Sequence, residues 1–486
     1  MSARIAIDDG QQRLTADALA TRAAQVAATL HDASPRIGVM ALMADNGPDW
    51  IVIDRAAAAA RVPLVPLPPF FTPAQIAAAL AASGADALVA SDARVCHALG
   101  FGEPVSLGGT GLALHRREVR DPPPLPPGTA KITFTSGTTG APKGVCLDDA
   151  HQWRVAESIA AALRDVSIER HLCLLPLAVL LENVAGVYAP LVRRATACVP
   201  QVASAGLRGS SNFDPVVCLQ AIERFAAHSV ILLPQMLLAL TIAIERGGRA
   251  PASLRFAAVG GAKVAPSLIA RARAAGLPVF EGYGLSECAS VVALNVPGAD
   301  LPGSAGRVLP HVRVHTDCNG EIVVRGPSFL GYTGESRARN DAPLATGDVG
   351  HVDGARFVHI EGRRKGILIT AYGRNVSPEW PEAELVASGV VAQAVVFGEA
   401  RPTLCAVLVA RDPAVDDAEV AAAVAAANAR LPDYARVESW VRAATPFTVD
   451  NGLATANGRP RRDAVLDRYR TQLDDLYQGS VHDVVP

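Results

Sequence analysis

The segment Thr135-Ser136-Gly137-Thr138-Thr139-Gly140-Ala141-Pro142-Lys143-Gly144 gathers hydroxyls and glycines ahead of a lysine. Glycines let backbone N–H groups close around phosphate oxygens, hydroxyls donate further hydrogen bonds, and Lys143 supplies positive charge. A polyphosphate is the ligand this combination suits. The segment holds no Gly-Lys-Ser/Thr triplet and so is not a Walker A loop.

This segment resembles the phosphate-binding signature of the adenylate-forming superfamily, which includes acyl-CoA synthetases, peptide-synthetase adenylation domains and luciferases. Further motifs follow in the family's order. Val259-Gly260-Gly261-Ala262 resembles the glycine pair whose backbone faces adenine and the acyl group. Glu281-Gly282-Tyr283-Gly284-Leu285-Ser286-Glu287 is similar to the Tyr-Gly-x-Ser/Thr-Glu motif. Thr346-Gly347-Asp348 matches the aspartate that receives the ribose hydroxyls, and Arg363 the arginine that ends the large domain. Gly320 to Pro327 matches a scaffold segment before them.

The resemblance implies that Thr135, Ser136, Gly137, Thr138, Thr139, Gly140, Gly260, Gly261, Ala262, Tyr283, Gly284, Ser286 and Asp348 bind the nucleotide. It implies catalytic roles for Lys143, Glu287, Arg363 and Arg459, and a magnesium ion held on the side of Glu287 and Thr138. Magnesium takes hard oxygen ligands shared with phosphates, so one carboxylate with waters suffices.

The chain departs from the family at Arg459, in Asn457-Gly458-Arg459-Pro460-Arg461-Arg462, where relatives usually carry a lysine. A guanidinium is a planar fork and an ammonium a point charge, so charge is kept while geometry changes. Arg459 takes the lysine's role on one reading, Arg461 or Arg462 on a second, and on a third the chain is a weak or inactive acyl-adenylate-binding module. Gly366 stands at the hinge, where many relatives have Asp or Lys, and can visit positive φ. Residues 371–379 resemble the loop lining the pantetheine channel, with Gly373 and Arg374 toward the acceptor.

Leu174-Leu175-Pro176-Leu177-Ala178-Val179 resembles a long-chain acyl-CoA synthetase motif with Val179 in place of its histidine. Val179, Leu180, Asn183, Val184 and Val187 are the expected acyl pocket. They offer no carboxylate to pair a buried ammonium, which favours a fatty or other apolar acid over an amino acid. Coenzyme A is the expected acceptor, with the phosphopantetheine of an acyl carrier protein second and an amine third. The implied reaction is ATP-dependent formation of an acyl-adenylate with release of pyrophosphate, then transfer to the acceptor.

Positioning these residues requires an extensive scaffold. A chain of 486 residues exceeds one hydrophobic core, and 50% apolar with 19% charged residues suits a folded α/β protein. The pattern predicts a helix from Thr15 to about Leu30, strands at 37–42, 63–67 and 87–90, a helix at 74–82, and a buried helix over 231–244. Alternating strands and helices imply a mostly parallel sheet with ligands beyond the strand ends. Residues 1–362 form the expected large domain, 363–366 the hinge, and 367–486 a small mobile α+β domain. In the small domain, strands are expected at 366–370, 390–397 and 404–409, with helices around Glu382 and Glu419.

A net charge of −2 argues against a nucleic-acid partner. The eight cysteines form no C-x-x-C pair, the N-terminus holds no signal-like apolar run, and no stretch reaches the roughly 20 residues that span a bilayer. The expectation is a cytoplasmic chain with reduced thiols.

Overall fold

The computed structural model describes residues 4–135, 143–209, 212–337, 342–372, 374–455 and 458–479. Capping residues set the helix boundaries. The Thr15 hydroxyl accepts the Ala18 N–H at 3.1 Å to start Ala16–His31. Thr72 and Gln75 form a reciprocal capping box at Pro73–Ser83, and Gly84 ends that helix in the left-handed region.

The apolar runs between these helices become the strands Met40–Met43, Leu64–Pro66 and Ala87–Ala90, which pair in parallel. They sit in an eight-stranded sheet that continues through Lys131–Thr135 and Lys143–Leu147 to the edge strand Gly331–Tyr332. A nine-stranded sheet holds Ser229–Leu232, Phe256–Val259 and Val279–Leu285 in parallel. The largest apolar cluster includes Ile51, Ile53, Met40 and Leu42, none of them exposed. Burial of each such side chain stabilises the fold by about 1.5–3 kcal/mol.

The nine-stranded sheet is mostly parallel, as expected, with antiparallel strands at both edges, whereas the eight-stranded sheet has a parallel centre flanked by antiparallel pairings. A four-stranded antiparallel sheet of Arg313–Thr316, Glu321–Arg325, Leu344–Val352 and Val358–Arg363 completes this part of the chain. The segment 231–244 is not one helix: the strand Ser229–Leu232 ends before Leu233, and Pro234 opens the helix Pro234–Glu245. Proline is favoured in a first helical turn, where its missing N–H has no intrahelical partner.

Beyond the turn Arg364–Gly366, the strands Val391–Phe397, Leu404–Ala410 and Val437–Arg442 form a three-stranded sheet. One face packs on the helices Glu379–Ala387 and Asp417–Asn428, the other on Arg462–Gly479. The expected strand at 366–370 shortens to Leu368–Ile369, paired with Asn375–Val376. Gly366 does not adopt positive φ in this arrangement. No helix among the described residues is long and apolar enough to cross a membrane.

Candidate active site

Strand register brings the nucleotide-side residues together. Asp348 lies opposite Arg363 in the hairpin Leu344–Val352 and Val358–Arg363, and Arg363 Nε meets Asp348 Oδ1 at 2.9 Å. The Tyr283 hydroxyl, from the end of Val279–Leu285, donates to Asp348 Oδ2 at 2.5 Å. Arg363 is further fixed by the Thr346 carbonyl at 3.1 Å. Burial raises the Asp348 pKa, with Arg363 and the Tyr283 hydroxyl opposing that rise. A carboxylate so gripped presents a fixed acceptor to a diol, since both partners that orient it are themselves anchored.

Thr135 and Lys143, the flanks of the expected phosphate-binding segment, pair with each other at the end of the hairpin Lys131–Thr135 and Lys143–Leu147. Ser136, Gly137, Thr138, Thr139 and Gly140 lie outside the described residues. The Lys143 ammonium sits 5.3 Å from the Tyr332 ring centre, and the Tyr332 hydroxyl donates to Glu287 Oε1 at 3.1 Å. The Phe329 N–H donates to the Glu287 carbonyl at 2.6 Å, tying the turn Ser286–Cys288 to the same edge. Glu287 therefore offers an oxygen ligand beside the Tyr332 ring that the exposed Lys143 ammonium approaches, a donor chemistry that fits magnesium shared with phosphates. Tyr332 was not identified from sequence, because it reaches Lys143 only through pairing of Gly331–Tyr332 with the strand Lys143–Leu147.

Gly260 is buried, and a side chain there would meet the Gly282 carbonyl. Gly261 adopts φ 80°, which turns the loop outward and leaves it and Ala262 exposed. Arg459 donates to the Gly261 carbonyl, bringing the small domain's cation to the glycine pair. Arg461 instead binds the Gly452 carbonyl at 3.4 Å, and Arg462 binds Glu382 at 2.7 Å and the Val396 carbonyl. Both are therefore engaged within the small domain.

Lys263 was also missed. Its ammonium donates to the Ile360 carbonyl at 2.9 Å, linking the glycine loop to the last strand before the hinge. Glu281 lies within its electrostatic reach and is pushed up by burial to about 8. On the acceptor side, Gly373 lies outside the described residues, whereas Arg374 is exposed with its N–H on the Thr370 hydroxyl at 3.2 Å.

The expected acyl wall is a π-helix, Glu182–Tyr188. Asn183, Val184 and Val187 are buried in the core, and Asn183 accepts a hydrogen bond from Lys131. That contact belongs to a buried network in which Lys131 pairs with Asp54 at 2.8 Å and Tyr188 donates to Asp54 at 2.6 Å. Burial opposes ionisation of Asp54, but Lys131 and Arg55 outweigh it and hold its pKa below the usual carboxylate range. Asn183 is thereby tied into this network, and Val184 and Val187 are fully buried. Leu180 is likewise buried, and Val179 is half-buried at the helix entrance. Half-buried on this helix is Ala185, and just before it Leu181; both touch the two major apolar clusters together with Ala258.

The AMP-binding enzyme family model matches residues 1–333, and the AMP-binding enzyme C-terminal domain model matches 365–481. The chain is similar to a long-chain-fatty-acid–CoA ligase, FadD15 of Mycobacterium bovis, with 32% identity over 46% of this chain and 42% of that one. The chain thus spans under half the length of that relative. A feruloyl-CoA synthase of Amycolatopsis sp. is 29% identical over 90% of this chain and 88% of its own. The solved structure of the amide bond synthetase McbA from Marinactinospora thermotolerans superposes with a TM-score of 0.74 at 25% identity, covering 96% of this chain and 97% of that one. With its family models covering both parts in order, the chain belongs to the AMP-binding enzyme family.

Proposed function

We propose that the chain condenses a carboxylic acid with ATP to an acyl-adenylate and passes the acyl group to the thiol of coenzyme A. The contact of Arg459 with Gly261 carries this reading, because it brings a permanent cation to the glycine pair beside the Tyr283, Asp348 and Arg363 cluster. In the first step a carboxylate oxygen attacks the α-phosphorus and the bond to pyrophosphate breaks. Arg459 and Lys143 offset the phosphate charge, while Asp348 and Arg363 orient the ribose. Such a step is accelerated mainly by positioning and preorganised charge. Glu287 is the residue that would hold magnesium, which supplies charge neutralisation on the phosphates. In the second step a thiolate attacks the acyl carbon and AMP departs.

The acid is apolar. Leu181 and Ala185 are apolar and half-buried, and they offer no carboxylate to pair an ammonium. A fatty acid is the first reading and an aryl acid the second, the latter favoured by the nearly full-length likeness to a feruloyl-CoA synthase. Carrier-protein phosphopantetheine and an amine remain the alternative acceptors, the amine in line with the likeness to an amide bond synthetase. Pyrophosphate release measured over a panel of fatty, aryl and amino acids tests the proposal. Release with an apolar acid, followed by consumption of coenzyme A, is expected. ATP binding without release for any acid would make the chain a nucleotide-binding module.

A further inference from the structure

The small domain touches the large one at a second place, besides the contact of Arg459 with Gly261. Ser267 and Arg271 lie one turn apart on the helix Pro266–Ala274, which follows the glycine loop. Residues four apart share a helix face. The Ser267 hydroxyl donates to Glu384 Oε2 at 2.8 Å, and Arg271 Nη1 donates to the Ala387 carbonyl at 3.0 Å. Both acceptors belong to the helix Glu379–Ala387 of the small domain.

Each contact is held from behind. Glu245 grips Arg271 at 2.7 and 2.6 Å, leaving Nη1 to reach across. Glu384 is buried, and Arg430 Nε binds the same carboxylate oxygen at 2.7 Å. Ala387, in the last turn of its helix, packs within the large domain's apolar cluster. A cation at a helix C-terminal carbonyl is favourable both as a hydrogen bond and through the helix dipole.

We infer that Ser267 and Arg271 are positioning residues for acyl-adenylate formation: they seat the small domain in the orientation that brings Arg459 to the Gly261 carbonyl. The inference rests on the proposed two-step reaction. Neither side chain touches the reacting groups. Their contacts exist only while the helix Glu379–Ala387 sits on Pro266–Ala274, so rotation of the small domain must break them.

The test uses the full chain with Arg271→Ala, Ser267→Ala and the double variant. Acyl-adenylate formation is measured beside thioester formation from supplied acyl-adenylate. The expected result is about a tenfold fall in the first rate for the double variant with the second within about threefold, since lost seating acts only on the step that needs it. Ser267→Ala leaves Glu384 bound to Arg430 and serves as the mild variant, expected to shift the ratio in the same direction. In parallel, the distance between spin labels on the two domains is measured without any acid. The wild type should give one dominant distance and the double variant a broadened distribution. Proportional losses in both half-reactions, or an unchanged distance distribution, would overturn the inference. If no acid were activated by the wild type, the distances would still decide the seating, separating its failure from that of the proposed reaction.

Discussion

An arginine at position 459 changes how a cation can serve a phosphate. Its fork can hold a backbone carbonyl with one nitrogen and keep other donors for an oxyanion, which a lysine does less readily. Arg459→Ala should therefore lower acyl-adenylate formation by about a hundredfold or more, the scale of losing one preorganised charge. Thioester formation from supplied acyl-adenylate should stay near the wild-type rate. Equal losses in both half-reactions would remove Arg459 from the first step. The residues around it differ in how readable they were. Tyr283, Asp348 and Arg363 stand in contiguous motifs, and the structure brings all three into contact. Tyr332 and Lys263 carry no such signature, because their roles arise from strand pairing and loop closure between distant segments.

At the scale of elements, the π-helix Glu182–Tyr188 leaves Ala185 half-buried while burying the side chains around it. An apolar run in sequence announces burial but not phase, and Val184 and Val187 are fully buried here. Ala185→Phe should reduce activation of long or bulky acids while sparing short ones, read as acid-dependent changes in kcat/KM. A uniform loss across acids would place Ala185 elsewhere. The same helix needs Gly186, because a Cβ there would lie 2.5 Å from Glu182 Oε1 and 3.0 Å from His171 Nε2. Gly186→Ala should destabilise the fold by about 1–3 kcal/mol through overpacking, measured by denaturant titration. An unchanged midpoint would show that the His171 and Glu182 pair yields freely. Capped helices such as Ala16–His31 were legible to within a residue or two, since capping is local chemistry. Sheet mixing was not, because an alternation of strands and helices does not mark the short hairpins, such as Ile5–Asp8 with Arg13–Thr15 and Val279–Leu285 with Ser290–Leu294, that add antiparallel pairings toward the edges.

At the scale of the whole molecule, stability and pH are linked through buried groups. Burial lowers the pKa of His151 and of His311 to about 4. Unfolded histidine binds its proton near pH 6.5, so the unfolded chain holds more protons between about 6.5 and 4. Stability from these residues falls as pH falls through that window, by up to about 1.4 kcal/mol per histidine per unit. Glu281 and Glu382 act in the opposite sense. Burial raises them to about 8 and about 7, so the folded chain binds their protons first and their share of stability grows as pH falls toward 4.5. Because the two effects oppose, the difference between proteins is the informative quantity. The variant carrying His151→Phe and His311→Phe should gain thermal midpoint relative to the wild type on going from pH 7 to pH 5. Parallel curves would clear the histidines of that role. The relative seating of the two domains was not legible in sequence, since Arg459 and Gly261 stand far apart in the chain and meet only in the folded molecule.

The most direct measurement is a single-turnover reaction of the full chain with ATP, magnesium and an apolar acid, quenched and resolved by mass spectrometry. Acyl-adenylate and pyrophosphate should accumulate without coenzyme A, and acyl-CoA with AMP should replace them once the thiol is added. Release of ADP and phosphate, or no acid-dependent cleavage of ATP across the panel, would contradict the account.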